Sequence, residues 1–515
     1  MVGPRRDIQT GNNEETNLRE GPQLTTHLGQ KAARGASVTG AGMLLRIGVQ
    51  ALGVVILARI LVPADFGLVA MAVAIIGVGD LVRDFGLSYA AIQARGLSTK
   101  QRSNLFWLNT LFGALVGACV FALSWPIAYL YGDPRLVGIT QAISVTFLIN
   151  GIGSQYRASL QRAFAFTSLT IAEVIGQVTG VAAGIACAFL GFSYWSIVIQ
   201  LITQPAAVVA VLIVASRWLP RGFYRNQQTR KFIRFGWHMM AFQLMTYASM
   251  NVDTVVIGLR FGATALGYYN RAFQFMAVPV IQLGNGLIRV AVPILARLQD
   301  DRDRLTQFLV RAHLCLFAVM FFLLALLGAM SEPAIRLLLG PEWADSAPIL
   351  RILAFAGLFQ TLTFPLEWAF VAQGLTRVNL LQALLARPIL VISIVIGAQF
   401  SVQGAAWGYS VGAAISWPIA LVALSRHSTL DTRQLISVSL RMLGVNVVAG
   451  SLGAIVVSLV NVETAWKAFA LGAVVMTLSV LLTIAIFPSV RRDYKAVARS
   501  GVLIIRRRGR FGEVR

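Results

Sequence analysis

Three arginines, Arg46, Arg289 and Arg387, lie inside long apolar runs. A guanidinium offers a planar fork of donors that binds phosphate in bidentate fashion. In hydrocarbon it is costly unless paired, hydrated or long enough to reach the interface. Arg46 is near enough to a helix end to snorkel, whereas Arg289 and Arg387 are harder to dismiss. Together the three would form a cationic cavity that attracts an anionic headgroup. Carboxylates make a second set. Asp253 falls within "TYASMNVDTVVIGLRFG", and Glu173 and Glu367 lie in other apolar runs. On a helical wheel Asp253 shares one half with Gln243, Thr246, Tyr247, Ser249, Asn251 and Thr254. The opposite half, Leu244, Met245, Ala248, Val252, Val255 and Val256, has no polar member. Such a polar face belongs against a bundle interior or a watery cavity. Asp253, with Asn251 beside it, is read as a gating or ion-coupling residue. An ion pair with Arg260 or Arg271, or access to interfacial water, is the structural alternative. Glu173 and Glu367, taken to occupy corresponding helices of two halves, either bind a coupling H+ or Na+ or pair with an arginine. Asp80, Arg83 and Asp84 read as an interfacial charge cluster.

The elements that hold these residues are membrane helices. The 515 residues are 57% hydrophobic and 13% charged, with a mean hydropathy of +0.71. Soluble domains carry about 25% charged residues. A bilayer-spanning helix needs roughly 20 apolar residues. Fourteen such segments are expected, near 39–62, 66–90, 104–130, 136–155, 169–190, 194–215, 236–259, 271–296, 308–330, 347–372, 379–399, 404–424, 439–460 and 466–488. The net charge of +23 would suggest nucleic acid in a soluble chain. Here 34 of the 44 Lys and Arg residues fall in the tails and alternate loops that share one side, and seven fall on the other. That asymmetry orients a membrane protein with both termini cytosolic, and no nucleic-acid partner is implied. Tails such as Arg506 to Arg510 could also meet anionic lipids, although orientation already accounts for them. The first 38 residues are polar and mixed in charge. No secretory signal peptide is expected there, and the first apolar segment is read as an uncleaved anchor.

The chain repeats itself. "VVILARILVPADFGLVAMA" from Val54 is echoed by "TVVIGLRFGATALGYYNRA" from Thr254, with Gly67 matching Gly267 at an offset of 200. "PIAYLYGDPRLVGI" from Pro126 is echoed by "PAIRLLLGPEWADSAPI" from Pro333, with Gly132 matching Gly340 at an offset of 208. Six helices separate the copies, so both point the same way, and the axis relating them runs along the membrane normal. The expected organisation is an all-α integral membrane protein with about 14 transmembrane helices. A cytosolic tail (1–38) precedes a six-helix lobe (39–217), a basic loop (218–235) and a second six-helix lobe (236–426). Helices 13 and 14 (427–490) and a basic tail (491–515) complete it. Transporters built this way place their substrate between the halves. The eighth segment holds Pro279, Gly284, Asn285, Gly286 and Pro293, and a break is expected there, either as a gate or as a packing kink.

Nothing points to catalysis. Cys119, Cys187 and Cys315 are far apart in apolar runs and read as small core residues, and the four histidines are scattered. No nucleotide loop, zinc spacing or nucleophile elbow occurs. No cofactor or metal is expected beyond a coupling H+ or Na+.

"LARILVPADFGLVAMA" (Leu57–Ala72), "DFGLSYAAIQ" (Asp84–Gln93), "NVDTVVIGLRFGATALGYYNRA" (Asn251–Ala272) and "PAIRLLLGPEW" (Pro333–Trp343) occur in an order and spacing that resemble the Wzx-type polysaccharide-repeat-unit flippases of bacteria. These belong to the multidrug/oligosaccharidyl-lipid/polysaccharide exporter superfamily. The resemblance covers about residues 36–430. It implies an inner-membrane protein with two six-helix lobes around a central cavity. The implied substrate is a polyprenyl-diphosphate-linked oligosaccharide, moved from the cytosolic to the periplasmic leaflet for surface or exopolysaccharide synthesis. Membrane lipids, a polysaccharide polymerase and export machinery are the implied partners. Related peptidoglycan-precursor flippases use their last two helices as a groove for the lipid tail, which helices 13 and 14 here could also supply. The arginines match no family motif one by one. A cation-coupled small-molecule exporter of the multidrug type is the alternative, and a membrane scaffold without transport is the third reading.

Overall fold

In a computed structural model the backbone is described for residues 21–84, 98–222, 224, 230–460, 462 and 464–510. Side chains of 21–37, 81–84, 230–246, 248, 285, 289, 290 and 500–510 lie outside that description. The described residues are almost wholly helical and contain no strand. The first half contains α1 (Gly21–Ile60), α2 (Pro63–Asp84), α3 (Thr99–Tyr131), α4 (Arg135–Arg162), α5 (Phe166–Phe189) and α6 (Trp195–Ser216). The second contains α7 (Arg230–Arg297), α8 (Arg302–Ala329), the short α9 (Ser331–Leu338), α10 (Ser346–Ala372), α11 (Thr376–Gly397) and α12 (Val402–His427). Then follow α13 (Thr432–Val460), α14 (Ala465–Ile486) and α15 (Pro488–Arg510).

Local chemistry sets the helix ends. Ser98 caps α3 by accepting from the Gln101 amide at 3.2 Å, while the Gln101 side chain accepts from the Ser98 amide at 3.1 Å, a reciprocal capping box. Gly132 ends α3 in the left-handed region (φ 69°), where a side chain would be strained. Asp301 and Ser401 cap α8 and α12 by accepting from the Arg304 and Gly404 amides.

Thirteen helical stretches are long and apolar enough to cross a membrane among the described residues. One of them, 249–297, has 49 residues. At 1.5 Å per residue it would run about 74 Å, more than twice the hydrocarbon thickness. It turns instead at Gly262 (φ 79°, ψ −175°), the single non-helical residue in α7. The first repeat turns at the matching Val62, between α1 and α2. The Gly262 turn makes two limbs of α7, and fourteen crossings result, as the apolar pattern predicts. The break expected at Pro279, Gly284, Asn285 and Gly286 is not there. The backbone stays helical through these residues. Prolines are tolerated in membrane helices because neighbours and local adjustment satisfy the freed carbonyls. Gly284 serves close packing instead, since a Cβ on it would lie 2.8 Å from the Phe364 ring.

The two lobes share one packing scheme. In the first, α4 packs on α2, α3 and α6, and α5 packs on α1 and α6. In the second, α10 packs on α7, α8 and α12, and α11 packs on α7 and α12. Backbone detail repeats too: Phe164 (φ 53°) between α4 and α5 corresponds to Gly374 (φ 70°) between α10 and α11. Helices α13 and α14 pack on each other and on α8, outside the repeat. Long apolar side chains such as Leu478, Leu481 and Leu482 stay exposed on α14, as a lipid-facing surface requires. Cys119 is exposed and Cys187 and Cys315 are half-buried, so none is a core residue, and none forms a disulfide.

The lobes meet chiefly through α2 and α7. The side of the bundle that carries the α1–α2 turn is termed the far side, and the opposite side, with the α6–α7 loop, the basic side. At the far side a Cβ on Gly67 would fall 1.7 Å from the Ala263 carbonyl oxygen, and one on Gly267 would fall 2.0 Å from that of Pro63. Backbones therefore touch across the lobes. Trp343 is fully buried beside them, donates to the Ala58 carbonyl at 2.8 Å, and meets Phe66 edge-on at 5.3 Å.

Candidate functional site

Arg46, on α1, is salt-bridged to Glu173 on α5. The other Glu173 oxygen lies 3.4 Å from an Arg157 guanidinium nitrogen on α4. One carboxylate thus sits between two arginines, and the cluster keeps one positive charge. It is 31–46% exposed at the side chains, open to exchange partners. A chain of amides continues it: Gln177 donates to Gln50 at 2.9 Å, and Gln204 donates to Gln177 at 3.0 Å. The i,i+4 spacing of Glu173 and Gln177 puts both on one face of α5. Arg157 falls beyond the apolar segment expected at 136–155, and the glutamines carry no charge to mark them within apolar runs.

Asp253 is 2% exposed and has no cation partner among the described residues. Its carboxylate accepts from the Tyr269 hydroxyl at 2.9 Å and from the Thr254 amide at 2.8 Å. Tyr269 lies on the second limb, so the bond ties the two limbs across the Gly262 turn. The expected alternatives do not occur: Arg260 bonds Gln399 and Arg271 bonds Asn270, while burial keeps the carboxylate from water. Asn251 turns inward on its own helix and donates to the Tyr247 carbonyl at 2.9 Å. Tyr247 donates to the Val73 carbonyl of α2 at 3.2 Å, so at this level the polar face meets the other lobe. Gln243 and Thr246 lie outside the described side chains.

Beyond Tyr269, stacked Phe273 (6.0 Å) leads edge-on to Tyr409 of α12 (5.3 Å). Arg387 of α11 is within electrostatic reach of both Tyr409 and Glu367. It is eleven residues from the start of α11 at Thr376, about 16 Å by helical rise, which is mid-membrane and not near an end. The 210-residue offset between Phe164 and Gly374 corrects the pairing of the two glutamates. Glu367 corresponds to Arg157, not to Glu173, and Arg387 corresponds to Gln177. Glu367 on α10 thus stands where the first lobe has Arg157, and Arg387 on α11 stands one helical turn beyond the position equivalent to Glu173. Arg289 and Asn285 lie outside the described side chains, as do Arg83 and Asp84.

A groove of about 900 Å³ opens between α8, α10, α13 and α14. Its wall is largely apolar and small, with Gly328, Ala329, Gly450 and Ala454, and Glu332, Arg336 and Arg351 stand at one end. Among the described residues no group of His, Cys, Asp and Glu could hold a metal ion.

Two equivalent six-helix lobes, with arginines and carboxylates set among apolar helices, define a multi-pass membrane protein of the transporter type. The fold is similar to that of the lipid II flippase MurJ in an inward closed conformation, with a TM-score of 0.65 over 86% of this chain and 97% of MurJ at 14% identity. It is also similar to an inward-facing multidrug resistance transporter of the MATE family, with a TM-score of 0.55 over 77% of this chain and 99% of that one at 14% identity. The chain belongs to the polysaccharide biosynthesis protein family, whose model matches residues 56–348. The lipopolysaccharide biosynthesis protein WzxC of Escherichia coli is 26% identical over 380 residues, 73% of this chain and 76% of WzxC. The teichuronic acid biosynthesis protein TuaB of Bacillus subtilis is 28% identical over 297 residues, 57% of this chain and 62% of TuaB.

Proposed function

We propose that this protein flips a polyprenyl-diphosphate-linked oligosaccharide from the cytosolic to the outer leaflet by alternating access between its lobes. The observation that carries the reading is the Glu173 carboxylate held between Arg46 and Arg157 toward the basic side, while the lobes join backbone to backbone at the far side. The excess of Lys and Arg supports a cytosolic basic side, and the membrane in this reading is the bacterial plasma membrane. A diphosphate arriving from that side competes with Glu173 for two guanidiniums and gains charge-assisted, bidentate hydrogen bonds. Arg387, and Arg289 on the same side, extend the positive field. The isoprenoid tail stays in the lipid, with the groove of α13 and α14 as its track. Asp253 takes up a coupling H+ or Na+, and its bond to Tyr269 lets that event move one limb of α7 against the other. A polymerase and export machinery consume the flipped glycan.

The test is reconstitution of the full chain in liposomes with a polyprenyl-diphosphate oligosaccharide on one leaflet, read by accessibility of the glycan to an impermeant glycosidase. Translocation that stops in Arg46→Ala and Arg157→Ala supports the reading. Translocation absent from the wild-type protein, or unaffected in both variants, overturns it. One observation favours a second reading, the cation-coupled small-molecule exporter: the buried Asp253 carboxylate, with no cation partner among the described residues, suits exchange of H+ for a cationic drug. Drug susceptibility of a deletion strain, with its surface glycan intact, would select that reading instead.

A further inference from the structure

Arg271 opens a different question. The sequence places it at the very start of the apolar segment 271–296, but in the fold it is 9% exposed, within the second limb of α7. It lies nine residues beyond Gly262, about 13 Å of helical rise. Its guanidinium lies 4.4 Å from the ring centre of Phe66, which belongs to the other lobe. Its one hydrogen bond among the described residues is to the neutral Asn270 side chain at 3.3 Å, and Nε is buried with no partner. No carboxylate among the described residues pairs with it. Other far-side arginines are served better at the surface: Arg59 donates to the Leu337 carbonyl, Arg135 to Asp133, Arg260 to Gln399 and Arg336 to Glu332. From the opposite lobe, Tyr131 also holds its hydroxyl buried and unpaired near Gly258, toward the far side.

A guanidinium facing an aromatic ring is only partly compensated for the water it has lost. Phe66 and Arg271 come from different lobes and sit one residue before Gly67 and four after Gly267, the reciprocal backbone contact. Parting the lobes at that contact removes the ring, admits water and leaves a bare cation facing outward. We propose that Arg271 is an exit-side ligand for the transported phosphate group, covered while the lobes are joined at the far side and bared when they part. Cover by Phe66 keeps the guanidinium from holding phosphate before the gate opens. The cost of that cover is relieved on opening, which keeps the two conformations close in free energy. Phosphate then passes from the Arg46/Arg157 pair on the cytosolic side to Arg271 on the outer side. The inference rests on the flippase reading and adds to it a second, alternately exposed anion site.

The experiment uses the full chain in nanodiscs with a polyprenyl diphosphate as probe. Wild type, Arg271→Met, the wedge Gly67→Leu and the double variant are compared. Methionine retains apolar packing on Phe66 without the charge. With the lobes joined, Arg271→Met should bind the probe within twofold of wild type. On the wedge background it should weaken binding at least tenfold. Equal loss on both backgrounds, or no loss on either, overturns the inference. Glycan export at equal membrane abundance gives a measurement independent of the wedge. Arg271→Met should fall to a tenth or less of wild type, and Arg271→Lys should recover part of the rate. Wild-type export by Arg271→Met, or equal loss in Met and Lys, also overturns it. Failure of the wild-type protein to bind the probe at all removes the flippase reading, and this inference with it.

Discussion

Gly67 and Gly267 occupy the same position in the two repeats and meet each other's lobe in the same way. Gly67 faces the carbonyl of Ala263 and Gly267 faces that of Pro63, and Pro63 and Ala263 are themselves equivalent. Position i touches j′ while j touches i′, the signature of an isologous contact about a twofold axis, here within one chain. Only glycine lets the backbones approach this closely.

Gly67→Ala and Gly267→Ala should therefore each destabilise the joined conformation by about 1–3 kcal/mol, the range for overpacking. Gly48→Ala is the control, because a Cβ there meets nothing within 4 Å. Its effect should be neutral or slightly stabilising, by up to about 1 kcal/mol. Thermal unfolding in detergent ranks the three. Equal midpoints for all of them would contradict the contact.

Glu173→Gln should tighten binding of a polyprenyl diphosphate several-fold, because it frees Arg46 and Arg157 without removing them. Stability should change by less than about 1 kcal/mol, since these side chains are about a third exposed or more and partly screened. Titration in nanodiscs reads the affinity. A weaker complex would mean that Glu173 positions the arginines for the phosphate and does not compete with it.

Asp253→Asn keeps an acceptor for the Tyr269 hydroxyl and removes the titratable group. The variant should fold and reach the membrane, and glycan export should lose its dependence on the ion gradient. Tyr269→Phe leaves the buried carboxylate short of a donor, at a cost of about 1–3 kcal/mol in stability. Export by Asp253→Asn that still follows the imposed gradient would return Asp253 to a structural role.

Asp133, in the turn between α3 and α4, offers a pH test outside the membrane. The Arg135 guanidinium, 2.7 Å away, holds its carboxyl below the usual carboxylate range. A depressed folded-state value contributes stability above the unfolded value of about 3.9, and that stability is lost as pH falls through the folded value. The pair is partly exposed, so Asp133→Asn should cost under about 1 kcal/mol at pH 7, and less as the pH falls through the folded value. Unfolding midpoints of the variant and wild type should converge as the pH is lowered.

The fourteen apolar stretches were legible because each must hide its backbone from lipid, and only helices of that length do so. The repeat was legible through glycines, since Gly67, Gly132, Gly267 and Gly340 mark close approach or left-handed backbone. Charged residues in apolar runs were legible as candidates, but their partners were not. Glu173 joins residues 127 and 16 positions away, and no periodicity along one helix foretells which helix lies opposite. The proline and glycine cluster at 279–286 does not by itself decide between a broken and a continuous helix, because neighbouring helices can supply the missing bonds.

Composition and spacing by themselves determined the class of solvent, the number of apolar crossings and the twofold relation between halves. Those follow from chain length per crossing and from the even number of helices between copies. Tertiary structure alone decided which charges neutralise one another. It set Glu173 between Arg46 and Arg157, gave Asp253 a tyrosine in place of an arginine, and shut Arg271 against Phe66 of the other lobe. Electrostatic partnership depends on distances of a few ångströms, and those exist only once separate helices have packed.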